Sequence, residues 1–116
     1  MAPTKTKADA VFRAFSDLTR LRMMVLLRKG EVCVGDLVDI LKVPQPTASR
    51  HLAYLRRAGL VETRKEGQWI YYGLAPAKSK FQKSLLKCLE CCFEEVPEIQ
   101  TDAKRARKLR EKGGCC

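Results

Sequence analysis

Residues 44–61 constrain the fold more than any other stretch of this chain. The run Gln45-Pro46-Thr47-Ala48-Ser49-Arg50-His51-Leu52-Ala53-Tyr54-Leu55-Arg56-Arg57-Ala58-Gly59-Leu60-Val61 predicts a short helix that stops at a glycine and continues into an extended segment. Pro46 suits the first helical turn, where its missing N–H would have no partner anyway. Ala48, Leu52 and Leu55 recur at i, i+4 and i+7, so one face is apolar and packs inward. Gln45, Thr47, Ser49 and Arg50 lie at the amino end, off that face. Short or forked polar groups in this position suit phosphates and base edges. A small apolar helix with a polar amino-terminal tip is the form in which a recognition helix enters the major groove. An ordinary surface helix is the alternative.

The preceding residues supply what such a helix needs beside it. Ala8, Val11, Phe12 and Phe15 repeat with helical spacing. Ser16-Asp17 can cap a second helix over 18–27, with Leu21 and Val25 inward. Gly30 ends that helix, and Glu31-Val32-Cys33 reads as extended. A third helix over 36–41 turns Leu37, Ile40 and Leu41 inward, and a brief connection through Pro44 leads to the recognition helix. Two short helices so close together make a helix-turn-helix.

Beyond it, Val61-Glu62-Thr63-Arg64 and Trp69-Ile70-Tyr71-Tyr72 are rich in β-branched and aromatic residues. Lys65-Glu66-Gly67-Gln68 between them is turn chemistry, so a β-hairpin is expected. It has the form of a wing, with Arg64, Lys65 and Gln68 at its tip reaching phosphate or the minor groove; a solvated hairpin tip is the alternative. A long last helix is expected over 78–95, with Phe81, Leu85, Leu89 and Cys92 in a stripe and Pro97 as its stop. That stripe, with the first helix, is expected to pack on a second copy. The fold class is therefore mainly α with a small β-hairpin: a winged helix-turn-helix, homodimeric through its first and last helices. The division is residues 1–97 as the DNA-binding and dimerisation domain and 98–116 as a basic tail. Lys104, Arg105, Arg107, Lys108, Arg110 and Lys112 dominate that tail without a strong apolar stripe, so it is expected to be mobile or only partly helical. It closes on Gly113-Gly114-Cys115-Cys116.

The formal charge of +10 favours a polyanion as partner. No secretory signal or membrane-length apolar run is visible, so a cytoplasmic location without membrane contact is expected. Thiols stay reduced there, and six cysteines then point to metal, metalloid or redox chemistry more than to a disulfide framework.

With these elements in order, the chain resembles the ArsR/SmtB family of metal-responsive bacterial repressors, in its arsenic-sensing type. Phe15-Ser16-Asp17-Leu18-Thr19-Arg20-Leu21-Arg22 is similar to the opening of the family's second helix. Glu31-Val32-Cys33-Val34-Gly35-Asp36-Leu37 resembles the entry to its third. The recognition-helix run from Gln45 and the wing Arg64-Lys65-Glu66-Gly67-Gln68-Trp69-Ile70-Tyr71-Tyr72 complete the match, which covers about 8–74. The resemblance implies a repressor of metalloid efflux or detoxification genes, its own gene among them, bound to double-stranded operator DNA. Two departures matter. Gly35 and Val38 stand where arsenic sensors of the family place further cysteines after Cys33, so that site is not carried over. The one histidine, His51, lies in the recognition helix, which excludes the family's zinc site of histidine and carboxylate ligands on the last helix; a packing or backbone-bonding role fits it better.

Cys88, Cys91 and Cys92 are offset by three and four residues, which on one helix puts them on one face. Thiolates select soft ions. Trivalent arsenic or antimony takes three sulfurs in a pyramid, whereas zinc prefers four ligands in a tetrahedron. Lys87 favours the thiolate form. Cys115 and Cys116 are possible extra donors. Alternatives stay open: Cys88 and Cys92 as small apolar residues of a dimer seam, a thiol-redox sensor, or a repressor answering cadmium or lead. Cys33 reads as a buried small residue. Cys88-Leu89-Glu90-Cys91 has the C-x-x-C form of thiol oxidoreductases but lacks their βαβ setting, so an enzyme is not expected.

Overall fold

The computed structural model describes residues 8–90 and 93–113. Among them the elements run α1 (Ala8–Phe15), α2 (Leu18–Leu27), β1 (Val32–Cys33), α3 (Val34–Leu41), α4 (Gln45–Arg57), β2 (Val61–Glu66), β3 (Trp69–Leu74), α5 (Lys80–Cys88) and α6 (Pro97–Glu111). Local chemistry sets the helix starts. The Asp17 carboxylate accepts the Arg20 backbone N–H at 3.0 Å and caps α2. The Ser79 hydroxyl accepts from the Gln82 N–H at 3.1 Å and caps α5. Pro46 and Pro97 each stand in the first turn of their helices.

The core forms under α4. Ala48, Leu52 and Leu55 are fully buried, as their spacing predicts, and share one cluster with Leu37, Ile40 and Leu41 of α3. From α2 the deepest residues are Met23, Met24 and Leu27, while Leu21 and Val25 are only half-buried at the margin. Leu21 and Val25 still pack against the core, as expected, but less deeply than Met23, Met24 and Leu27. Truncating one of these fully buried leucines costs about 2–5 kcal/mol. β2 and β3 pair antiparallel from Val61↔Leu74 to Glu66↔Trp69 and form the hairpin. β1 adds to the other edge of β3 through Val32↔Tyr72 and Cys33↔Tyr71, giving the order β1-β3-β2. The short β1 anchors the wing to the start of α3.

Two expectations about the C-terminal third are corrected. The helix expected over 78–95 ends at Cys88, with turns after it. Pro97 starts the next helix and does not stop the previous one, since a proline in the first turn lacks only an N–H that would have been orphaned. The residues expected to be mobile form α6, which packs on α2 and α3. Its inward row is Ile99, Asp102, Ala106 and Leu109. That row is too small and too polar to read as an apolar stripe.

An ion pair holds α6 in place. Arg22 donates from Nε and Nη2 to the two oxygens of Asp102, each at 2.8 Å, and from Nη2 to the Leu41 carbonyl at 2.9 Å. The side chains are 12% and 2% exposed. The hydrogen bond to Asp102 raises the Arg22 pKa above its ordinary value, so the guanidinium stays charged. Arg105 of α6 donates to the Ile40 carbonyl at 2.9 Å. The last carbonyls of α3 lack helical partners, and these two arginines supply them. Asp102→Ala leaves the Arg22 guanidinium buried and unpaired. The expected loss is about 3–5 kcal/mol, measured as a fall in urea midpoint.

Candidate nucleic-acid interface and thiol positions

α4 presents its polar tip as its sequence requires. With Ala48, Leu52 and Leu55 committed to the core, Gln45, Ser49 and Arg50 are exposed and Thr47 is half-buried. Among the described residues, none of their side chains is engaged with another. The helix is fixed from behind by Arg20 of α2. Its guanidinium donates to the carbonyls of Ala14 and Arg13 at 3.1 and 2.9 Å and lies 4.1 Å from the centre of the Tyr54 ring. It also meets His51 Nδ1 at 3.3 Å. His51 is therefore occupied in joining α2 to α4, through a side-chain contact where packing or backbone bonding was expected. Arg20 thus ties the end of α1 and the body of α2 to the DNA-facing helix.

The wing is organised by charge. Arg64 reaches Glu31 at 2.8 Å and Glu66 at 2.6 Å and stacks over Tyr71 at 4.8 Å from the ring centre. Hydrogen bonds to these carboxylates push the Arg64 pKa further up. The same contact lowers the Glu31 pKa below its ordinary value. The sign is that of a depressed acid: the pair is present at neutral pH and is lost only as pH falls through the lowered Glu31 value. Arg64, expected at the DNA, is thus already held in the DNA-free protein, and a phosphate must draw it from two carboxylates. Lys65 and Gln68 are exposed at the tip, with no side-chain partner among the described residues.

Sequence reading missed Arg56 and Arg57. Both are exposed and line a groove with Ser49, Ala53 and Tyr72, between α4 and the wing. In sequence they look like the basic last turn of a helix. Only the folded chain, with Tyr72 of β3 lining the same groove, sets them beside the wing.

The expected thiol positions divide. Cys88 is the last residue of α5, half-buried and outside any disulfide. Cys91, Cys92, Cys115 and Cys116 lie outside the described residues. α5 itself ends at Cys88, with Leu89 and Glu90 in a turn, short of the continuous helix expected through residue 92. Among the described residues, no three of His, Cys, Asp and Glu gather as a metal site. Cys33 is buried, as expected, but it is also disulfide-bonded and so is more than a packing residue. A cavity of about 410 Å³ lies between α2, α3 and α6 and has no cysteine among the described residues of its lining. No helix among the described residues is long and apolar enough to cross a membrane.

A helix-turn-helix with a free polar tip, braced from behind and flanked by a basic hairpin, defines a winged DNA-binding regulator. Known proteins agree. Residues 17–63 match the family described as bacterial regulatory protein, arsR family. Arsenic resistance transcriptional regulator ArsR1 of Pseudomonas putida is 40% identical over 103 residues, covering 88% of this chain and 79% of that protein. The arsenical resistance operon repressor of Escherichia coli is 48% identical over 97 residues, covering 82% and 83%. HlyU of Vibrio cholerae superposes with a TM-score of 0.67 at 35% identity, covering 80% of this chain and 98% of that one. The same protein in its reduced form gives 0.66 at 37%, covering 75% and 88%. The chain belongs to the arsR family, and so to the DNA-binding transcriptional regulators and not to the enzymes.

Two outcomes follow from this surface. Arg50→Ala is expected to relax sequence preference, by about 1–3 kcal/mol of discrimination at one base pair, in a competition assay against mutated sites. Glu31→Gln removes a carboxylate from Arg64 and is expected to tighten DNA binding severalfold at low salt. Unchanged affinity for Glu31→Gln would mean that Arg64 braces the wing without contacting phosphate.

Proposed function

We propose that this chain is a homodimeric repressor that leaves its operator when trivalent arsenic or antimony binds Cys88, Cys91 and Cys92, with Cys115 and Cys116 as possible further donors. The observation that carries the reading is Cys88: an unoxidised, half-buried thiol at the end of α5, beside an apolar face that the monomer leaves uncovered. Phe12 of α1 is 55% exposed although its ring packs on Phe81 of α5, with centroids 5.3 Å apart. Leu18, at the start of α2, is 44% exposed. A second copy covers such a face, and α1 with α5 then forms the seam. Relatives named for arsenic resistance support the choice of ion.

The switch acts through that seam. Thiols ionise to ligate, so binding releases protons. Drawing sulfurs around one ion strains the turn after Cys88, where α5 has already ended. The seam sets the spacing of the two recognition helices, which on an imperfect palindrome is about 34–36 Å. A coupling of about 1–3 kcal/mol between ion and DNA suffices for release. Gln45, Thr47, Ser49 and Arg50 read the groove, while Arg64, Lys65 and Gln68 hold the flanking backbone.

A second reading rests on Cys33. Its disulfide favours a thiol-redox repressor, and a structural relative is known in a reduced form. The two separate in one experiment: DNA release by arsenite, antimonite, cadmium, zinc and peroxide, side by side. On the metalloid reading, Cys91→Ser and Cys92→Ser keep DNA binding but lose release by arsenite, and Cys33→Ser responds normally. Wild-type release from either of the first two variants contradicts it. Release by peroxide alone, lost in Cys33→Ser, establishes the redox reading instead.

A further inference from the structure

We infer that α6 carries a second DNA-contacting surface, a basic row that grips the phosphate backbone beside the recognition helix. Arg105, Lys108 and Lys112 follow one another at i, i+3 and i+7 and so share one face of α6. They line a single concavity with Lys42, Ile40, Leu109 and Asp39. Lys42 ends α3 and stands three residues before Gln45, the first residue of the recognition helix. Lys42 therefore links the row to the loop that leads into the proposed DNA-reading tip.

Arg105 is engaged with the Ile40 carbonyl, where it serves the end of α3. Lys42, Lys108 and Lys112 are exposed, and no carboxylate among the described residues pairs with them. Asp39 is the one acid lining the concavity, and it too is exposed. A surplus of positive charge thus stays uncompensated at a point where the backbone of a bound duplex must pass.

Lys42 supplies an independent observation. Its φ is +58°, the left-handed conformation of a helix C-cap, where glycine is the favoured residue. A lysine kept there at a conformational cost signals a use for its charge. The rigid mounting of α6 by Arg22, Asp102 and Arg105 serves the same end. From Arg105 to Lys112 the helix advances about 10 Å, against ~3.4 Å of duplex axis per phosphate on a strand. Lys108 and Lys112 reach different phosphates, so they act as separate contacts. These contacts carry no sequence information: they add affinity and orientation.

This inference rests on the DNA-binding reading of α4, and its test separates the two. The probe is a mixed-sequence duplex of about 40 base pairs, bound by the full chain across a salt series and followed by fluorescence anisotropy. Lys108→Ala/Lys112→Ala is expected to weaken binding about tenfold at low salt and to lower the salt slope by about 2. Alanine is the better helix former, so α6 persists. Lys104→Ala/Arg107→Ala removes the same charge from the face of α6 turned toward Leu89 and Glu90 and is expected to leave the slope unchanged. Lys42→Gly is expected to raise the urea midpoint while lowering the slope by about 1. Equal losses from both double variants would reduce the effect to net charge and overturn the inference. So would a wild-type slope in Lys108→Ala/Lys112→Ala. Failure of the wild-type chain to bind the duplex would instead overturn the DNA-binding reading, and this inference with it.

Discussion

The bidentate contact between Arg22 and Asp102 decides where the C-terminal quarter of the chain lies. Its two charges are almost wholly buried, a placement tolerated only when both ions are paired and their remaining hydrogen-bonding capacity is used. Arg22 meets that condition by also serving the Leu41 carbonyl. One side chain therefore fixes α6, completes the end of α3, and does both from α2, whose other face is core. The pairing is worth little as a source of net stability against an apolar substitute. Its value is positional: it brings a strongly basic helix to rest on the helix-turn-helix, where an unanchored tail of the same composition would sample solvent.

The surface proposed to face DNA follows one rule: a cation is either held by a partner that sets its direction or left without one where a phosphate could take it. Arg20 and Arg22 belong wholly to the first kind, one bracing α4 through His51 and Tyr54, the other anchoring α6. Arg50, Lys65 and Lys108 belong to the second. Arg64 stands between them, aligned by Glu31, Glu66 and Tyr71. Such an arrangement keeps the wing ordered before DNA arrives, which reduces what must be ordered on binding.

Much of this was legible in the sequence because it depends on local rules. The spacing of Ala48, Leu52 and Leu55, the Asp17 cap and the aromatic strands around Gly67 place α2, α4 and the wing within a residue or two. The failures share a cause: they depend on contacts distant in sequence. Asp102 reads as one more charge in a polar tail until Arg22, eighty positions earlier, is set beside it. Pro97 reads as a stop or a start depending on whether the next turn has something to pack on. Arg56 and Arg57 are set beside the wing only in the folded chain. For the thiols, the expectation of a single face required one continuous helix through Cys92, and α5 is shorter than that.

What joins the two halves of the account is the proposed capture of a soft ion by sulfur next to the proposed subunit seam. Arsenic absorption spectroscopy on the arsenite-loaded full-length chain reads that step directly, independent of DNA. The account predicts a first shell of three sulfur neighbours and no oxygen, with one arsenic per subunit. A shell that retains oxygen, or a spectrum unchanged from free arsenite, would contradict it.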